Sequence, residues 1–279
     1  MRVHHLNCGS LCPRGARLIN GKGGLLERGL ISCHCLAIEA GDGLVLLDTG
    51  FGIEDAHDPR RLGAEVLMGA RATVETTALK QLEDLGFAAG DVRHILVTHL
   101  DPDHTGGLPD FPAAEVHIFA PELEAAFDPK LNERLRYRDV HWKHGPHWVA
   151  HRSDGGDRWF GFESVRILPG VDAELALVPL VGHSRGHTAV AVGNGDGWLL
   201  HCGDAYFNHG EVRTPPSCPP MLRFFQNLTA ADRKARKSNL ERLRELAANH
   251  GNEITLLCSH DPYELERDQA RAAAAAAPA

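Results

Sequence analysis

Between His99 and His104 the chain places four side chains able to hold a metal ion: His99, Asp101, Asp103 and His104. Imidazole nitrogen and carboxylate oxygen together suit borderline divalent ions. The apolar run Ile95-Leu96-Val97 leads into this stretch. His99 and Asp101 alternate as residues do at a strand end, so both can turn to one ion. Asp103 and His104 follow the turn and can face a second. Gly106 and Gly107 then allow the backbone to pass close beneath the ions into the next element.

Further donors stand at comparable positions. Leu175 to Val181 ends in Gly182-His183, Trp198 to Cys202 in Gly203-Asp204, and Ile254 to Cys258 in Ser259-His260. Leu44 to Leu47 likewise runs into Asp48-Thr49-Gly50. Each is an apolar strand that stops at a polar residue, and α/β proteins build their sites outside the carboxyl ends of strands.

The elements that must position these residues read as follows. The glycine-rich first thirty residues form one or two short strands and a loop, leading to a strand around Ile31 to Glu39. Gly41-Asp42-Gly43 turns that strand into Leu44 to Leu47. Thr73 to Leu85 is a helix with leucines at 79, 82 and 85, closed by Gly86. Asp91 to Val97 returns as a strand, Val116 to Phe119 is another, and Pro121 to Phe127 is a helix. Residues 128–160 crowd Tyr137, His141, Trp142, His144, His147, Trp148 and Trp159 without a helical or alternating pattern, and this aromatic density favours a lid over a surface loop. Thr188 to Gly193 and Trp198 to Cys202 form a hairpin about Asn194-Gly195-Asp196-Gly197. The longest helix starts at Thr229-Ala230-Ala231-Asp232 and carries the stripe Leu240, Leu243, Leu246. Residues 267–279, which include the Ala272–Ala277 run, read as a disordered tail.

Composition narrows the function classes. A chain of 279 residues buries the core of a single large α/β domain, expected to span 1–279. A net charge of −8 argues against a phosphate-backbone partner and hence against a nuclease. Seven cysteines lack the spacing of a disulfide scaffold, and Cys33-His34-Cys35 has no second pair to close a metal site, so free thiols in a cytoplasmic protein are expected. No apolar run reaches the length of a membrane span, and no export signal is legible.

With its strand-end His, Asp and His, the stretch His99-Leu100-Asp101-Pro102-Asp103-His104 resembles the H-x-H-x-D-H signature of the metallo-β-lactamase fold superfamily, over roughly residues 31–263. The resemblance implies an α/β four-layer αββα sandwich whose sheets face each other and whose ligand-bearing ends share one edge. It implies His99, Asp101 and His183 as ligands of one metal, Asp103, His104 and His260 as ligands of a second, and Asp204 as their bridge. Asp101 departs from the family, which mostly has His there. Asp48 is expected to orient a ligand imidazole. His187 is expected in support, and His201 as a core histidine. Tyr206 resembles the tyrosine that assists oxyanion stabilisation in N-acyl-homoserine lactonases and reads equally well as a core or wall aromatic; Asp103 and Tyr206 are the catalytic candidates.

Such a pair of ions activates a water and polarises the bond it attacks, which is hydrolysis. The expected cofactors are two divalent metal ions, zinc first, with iron or manganese as alternatives because an anionic Asp101 suits harder ions. The expected substrate is a small-molecule ester, lactone or thioester, with no nucleic-acid or membrane partner and with a homodimer allowed. The alternatives are a non-haem diiron redox protein related to the flavodiiron reductases, which however rely on a fused flavin domain, and a phosphodiesterase. Competent side chains at every ligand position argue against a degenerate binding module.

Overall fold

A computed structural model describes residues 1–41, 43–153, 155–168, 174–193, 195 and 197–276. Its strands are β1 (Val3–Leu11), β2 (Ile31–Ala40), β3 (Gly43–Leu47), β4 (Ala70–Arg71), β5 (Val92–Leu96), β6 (Glu115–Phe119), β7 (His147–His151), β8 (Arg158–Trp159), β9 (Phe162–Glu163), β10 (Val165–Ile167), β11 (Glu174–Pro179), β12 (Thr188–Gly193), β13 (Trp198–His201) and β14 (Ile254–Leu257). Its α-helices are α1 (Ala16–Asn20), α2 (Ile53–His57), α3 (Ala78–Asp84), α4 (Pro102–Thr105), α5 (Ala120–Phe127), α6 (Pro220–Thr229), α7 (Arg233–His250) and α8 (Pro262–Ala276). One sheet has the order β4-β1-β2-β3-β5-β6-β7, a second has β10-β11-β12-β13-β14, and β8 and β9 form a small ribbon.

Strand alternation sorts the apolar residues into layers. Leu36, Ile38, Val45, Leu47 and Leu96 of the first sheet pack against Leu175, Leu177, Val190 and Val192 of the second. The neighbours that point the other way, Ala37, Leu44, Leu46 and Ile95, pack with Ala78 and Leu82 of α3. On the far side, Ala176, Val178, Ala189 and Ala191 meet Leu240, Leu243 and Leu246 of α7. Both faces of the central strands are therefore covered, which is why β2 and β12 are almost uninterruptedly buried. The result is the expected αββα sandwich. Leu243 is wholly buried in the outer layer, so Leu243→Ala would cost about 2–5 kcal/mol.

Pairing direction brings the donor-bearing ends together. β3 and β5 are parallel with Leu47 opposite Leu96, and β13 and β14 are parallel with His201 opposite Leu257. Their carboxyl ends therefore deliver Asp48, His99, Asp204 and His260 to the same rim. The sheets are stitched there by the Thr188 N–H donating to the Thr98 carbonyl at 3.0 Å and the His34 N–H donating to the Ser259 carbonyl at 2.9 Å.

Several local expectations need correction. Helix α7 begins three residues later than expected: Asp232 is its N-cap, its Oδ1 accepting from the N–H groups of Lys234 and Ala235, while Thr229 ends α6, an element absent from the sequence reading. An N-cap carboxylate satisfies free helix donors, and Asp232 does this better than the Thr three residues earlier that opens no capping box. Thr77 caps α3, and Val74–Thr76 before it is a 3₁₀ turn. Segment 128–160 is not patternless, because it contributes edge strand β7, parallel to β6. Residues 267–276 continue helix α8, where Arg267 Nη2 donates to the Leu256 carbonyl at 3.1 Å and Gln269 Nε2 to the His5 carbonyl at 2.9 Å, fastening the middle of α8 to β14 and β1. Asp42, Asn194, Asp196 and Ala277 of the expected turns and tail lie outside the described residues.

Candidate metal centre

His99 lies three residues beyond β5, and Asp101 is the N-cap of the one-turn helix α4, whose first position is Pro102. Proline suits that position because its missing N–H would have no helical partner. The turn carries Asp103 and His104 past Asp101. Gly106 acts differently from expectation: a Cβ there would stand 2.0 Å from Asp55 Oδ2 and 3.0 Å from the Gly50 carbonyl. The glycine thus permits close approach to the loop after β3, where the Gly107 N–H donates to the Gly50 carbonyl at 3.1 Å.

The structure brings all seven metal-ligand candidates together. His99, Asp101 and His183 form one group whose donor atoms lie within 4.8 Å of one another, and Asp103, His104 and His260 form another. In the first, Asp101 Oδ2 is 3.3 Å from His99 Nε2 and 3.1 Å from His183 Nε2. In the second, Asp103 is 3.8 Å from His104 Nε2 and 3.6 Å from His260 Nε2. Asp204 lies between them: Oδ1 is 3.2 Å from His104 Nε2, and Oδ2 is 3.0 Å from His260 Nε2 and 3.5 Å from His183 Nε2. Gly203 before it adopts φ 51°, and a Cβ there would meet His187 Nε2 at 2.6 Å.

Hydrogen bonds behind the imidazoles decide which nitrogen faces inward. His104 Nδ1 donates to Asp48 Oδ2 at 2.8 Å. Thr98 gives its N–H to Asp48 Oδ1 and its hydroxyl to Asp48 Oδ2, both at 2.8 Å, so its oxygen accepts from His99 Nδ1 at 3.0 Å. His260 Nδ1 donates to the Ser32 carbonyl at 2.8 Å. In each ring Nδ1 is engaged from behind and Nε2 faces the centre, the arrangement metal-binding histidines use. His99 Nε2, His104 Nε2 and Asp204 Oδ1 are buried without a hydrogen-bond partner. Orphaned acceptors of this kind are costly in a folded core unless an ion completes them, and imidazole with carboxylate is a donor set that fits divalent metal.

His187 is no part of either group. Its Nδ1 donates to the Leu180 carbonyl at 3.0 Å and its Nε2 accepts the Asp204 N–H at 2.8 Å, so it sets the position of Asp204. His201 is a wholly buried core residue whose Nε2 donates to the His34 carbonyl.

Tyr206 does not match its expected role. It belongs to the apolar cluster between the second sheet and α7, and its hydroxyl donates to Glu264 at 3.1 Å. Phe207, one residue on, is the side chain that packs against His260, with ring centroids 4.4 Å apart and planes tilted by 56°. The turn after β13 thus puts an aromatic ring without a hydroxyl at the site and buries the tyrosine behind it.

Sequence reasoning missed three residues. Arg136 Nη1 donates to both carboxylate oxygens of Asp101, at 2.9 and 2.7 Å, and Nη2 donates to the Thr229 carbonyl at 2.6 Å. Burial alone would raise the Asp101 carboxyl, but Arg136 and the neighbouring imidazoles hold it well below the usual carboxylate range. Burial and the same guanidinium push His183 down to about 4, leaving its ring neutral. Glu122, wholly buried, accepts the Leu100 N–H at 3.1 Å, the Ser184 hydroxyl at 2.6 Å and the Gly186 N–H at 2.9 Å, tying together the two loops that carry His99 and His183. Glu65 has a buried, unpartnered Oε2, and burial together with the charges of Asp103, Asp101 and Asp204 raises its carboxyl well above the usual range. An isolated Arg, and a Glu in the first turn of a helix, carry no local signature. The only available pointer was the crowded segment that contains Arg136.

Comparison with known proteins agrees with this geometry. Residues 28–252 match the Metallo-beta-lactamase superfamily. A probable metallo-hydrolase of Mycobacterium tuberculosis is 43% identical over 275 residues, covering 97% of this chain and 84% of the relative. An N-acyl homoserine lactonase of Rhizobium radiobacter is 27% identical over 226 residues, covering 79% and 78%. An N-acyl homoserine lactone hydrolase, solved with N-hexanoyl-L-homoserine at its catalytic metal centre, shares the fold with TM-score 0.70 at 17% identity, each chain covered to 95%. A dizinc quorum-quenching lactonase does so with TM-score 0.64 at 15% identity, covering 94% of this chain and 87% of the other. Among the described residues no helix is long and apolar enough to cross a membrane. The seven clustered donors and the match across most of the chain have one conclusion: this protein is a metal-dependent hydrolase belonging to the metallo-β-lactamase superfamily.

Proposed function

We propose that the chain is a dinuclear zinc hydrolase that opens small-molecule lactones, or the closely related esters and thioesters. The observation that carries this reading is Asp204, which reaches both three-residue donor groups: Oδ1 lies 3.2 Å from His104 Nε2, and Oδ2 lies 3.0 Å from His260 Nε2 and 3.5 Å from His183 Nε2. His99, Asp101 and His183 would hold one ion and Asp103, His104 and His260 the other, with Asp204 shared. When bound, such a pair supplies an activated water and a Lewis acid for the acyl carbonyl.

The protein's own residues prepare that chemistry. Asp48 and Thr98 engage Nδ1 of His104 and His99, so each ring presents Nε2 to an ion. Glu122 and His187 hold the ligand loops and Asp204 in place. The Arg136 guanidinium changes the meaning of Asp101. Taken alone, an aspartate in place of histidine adds a negative charge and favours harder ions. Paired with a buried arginine, it contributes no net charge, as a neutral histidine would. The feature that motivated a diiron redox alternative is thereby offset, and zinc is favoured. Lactones are favoured over other acyl compounds because the N-acyl homoserine lactonase matches nearly four-fifths of the chain in sequence.

The test is elemental analysis of protein purified without added metal, followed by kinetics on a lactone, a thioester, a phosphodiester and a β-lactam. Two zinc ions per chain and preferential lactone turnover are expected. Recovery of a single ion after zinc supplementation would remove the dinuclear reading, and preferential phosphodiester cleavage would remove the acyl substrate class.

A further inference from the structure

A second set of metal-binding side chains lies away from this rim, on the first sheet. Ile95, Val116 and Ile118 face the outer helices, so by alternation His94, Glu115 and His117 project from the opposite face of β5 and β6. The parallel register places His94 directly opposite Glu115. His94 Nδ1 is 3.1 Å from His117 Nε2 and 3.4 Å from Glu115 Oε2, and His117 Nε2 is 3.8 Å from the same oxygen. Tetrahedral zinc with bonds of about 2.0–2.1 Å separates its ligand atoms by roughly 3.3–3.4 Å, so the three donors already stand near the edges of such a polyhedron.

The surroundings complete the pattern. His117 is almost fully buried, and its other nitrogen, Nδ1, lies 3.0 Å from His151 Nε2 on β7, with the two rings stacked. If Nδ1–H donates to His151, Nε2 is free as a metal donor, the same device that Asp48 provides for His104. Burial and the neighbouring His151 and His94 push His117 down to about 4, so at neutral pH its ring does not hold a competing second proton. The Glu115 side chain is 52% exposed and that of His94 is 24% exposed, which leaves a path for an ion and a free coordination position for water.

We propose that His94, Glu115 and His117 form a peripheral binding site for a divalent transition-metal ion of the zinc type, with His151 as the residue that orients His117. The ion would clamp β5 to β6, and β5 leads to His99, three residues beyond its end. It takes no part in the reaction proposed above.

The experiment is metal analysis of the full chain and of His94→Ala, Glu115→Gln and His151→Ala variants, each equilibrated in a zinc buffer at micromolar free ion. The readout is the difference between chains, so it holds whatever number of ions the catalytic centre takes. Wild type should retain one more zinc per chain than His94→Ala and Glu115→Gln, with unchanged turnover in both variants. His151→Ala should weaken the same ion by about 10–100-fold. Cobalt substituted at this site should give a visible spectrum that disappears in Glu115→Gln, a substitution at an exposed side chain that leaves the core intact. Equal metal content in wild type, His94→Ala and Glu115→Gln would overturn the proposal and leave the histidines as a hydrogen-bonded row.

Discussion

Asp48→Asn isolates the contribution of a single hydrogen bond to metal binding. Asp48 sits at φ 53°, a left-handed conformation that asparagine tolerates as well as aspartate, so the backbone should not move. The Thr98 N–H requires an acceptor at Oδ1, 2.8 Å away. The asparagine oxygen must take that place, which turns its amide NH₂ toward His104 Nδ1, where the carboxylate accepted at 2.8 Å. Two donors then meet unless the His104 proton moves to Nε2, the atom facing Asp103 and Asp204. Loss of such an orienting partner weakens metal affinity by about 10–100-fold, or roughly 1.4–2.7 kcal/mol. Competition with a chromophoric chelator should show the ion held by Asp103, His104 and His260 weakened by that factor, with a smaller change for the ion held by His99. If both ions bind Asp48→Asn with wild-type affinity while the protein remains folded, the tautomer argument is wrong.

Asp101→His alone should lose the first ion and destabilise the fold by about 3–5 kcal/mol, because it leaves the buried Arg136 without its carboxylate; adding Arg136→Met should restore zinc, and equal behaviour of the single and double variants in metal analysis would dispose of the charge-pair argument. Tyr206→Phe should leave the turnover number unchanged and lower stability by about 1 kcal/mol, since the hydroxyl is bonded to Glu264 rather than directed at substrate; a drop in turnover with metal content intact would return the tyrosine to the site. Asp110 is raised to about 6, first by burial and then by Asp55 and Glu54. Its folded value exceeds its unfolded one, so its contribution is complete below about pH 4 and is lost as pH rises through 6, a cost of roughly 3 kcal/mol at neutral pH. Asp110→Asn keeps an acceptor for the Ile53 N–H and should be more stable than wild type at pH 7, with the difference between the two chains in chemical denaturation shrinking as pH falls from 6 to 4; a difference that does not change with pH would assign the effect to something other than Asp110 ionisation.

The sequence by itself determined the strands that lead to the site, because β5, β11, β13 and β14 are short apolar runs followed by donors, and those donors follow the spacing of a family signature. It also determined the stripe of α7, whose leucines at 240, 243 and 246 recur at helical spacing. What it left undecided depends on contacts between segments far apart in the chain. Arg136 and Asp101 are separated by 35 positions, and nothing local to either marks them as a pair. The expectation for Asp101, an added negative charge, was sound for the residue alone and changed once a buried guanidinium was found against it. Tyr206 was placed by its offset from Asp204, but a shift of one residue reverses the face on which a side chain lies, and only packing against α7 and Glu264 shows which aromatic ring borders the site. Tail residues 267–276 carry poor packing signals of their own and are ordered by acceptors on β1 and β14. Ligand identity is written in residue type and local spacing, whereas charge balance, tautomer and side-chain direction arise from neighbours that meet only when the two sheets close.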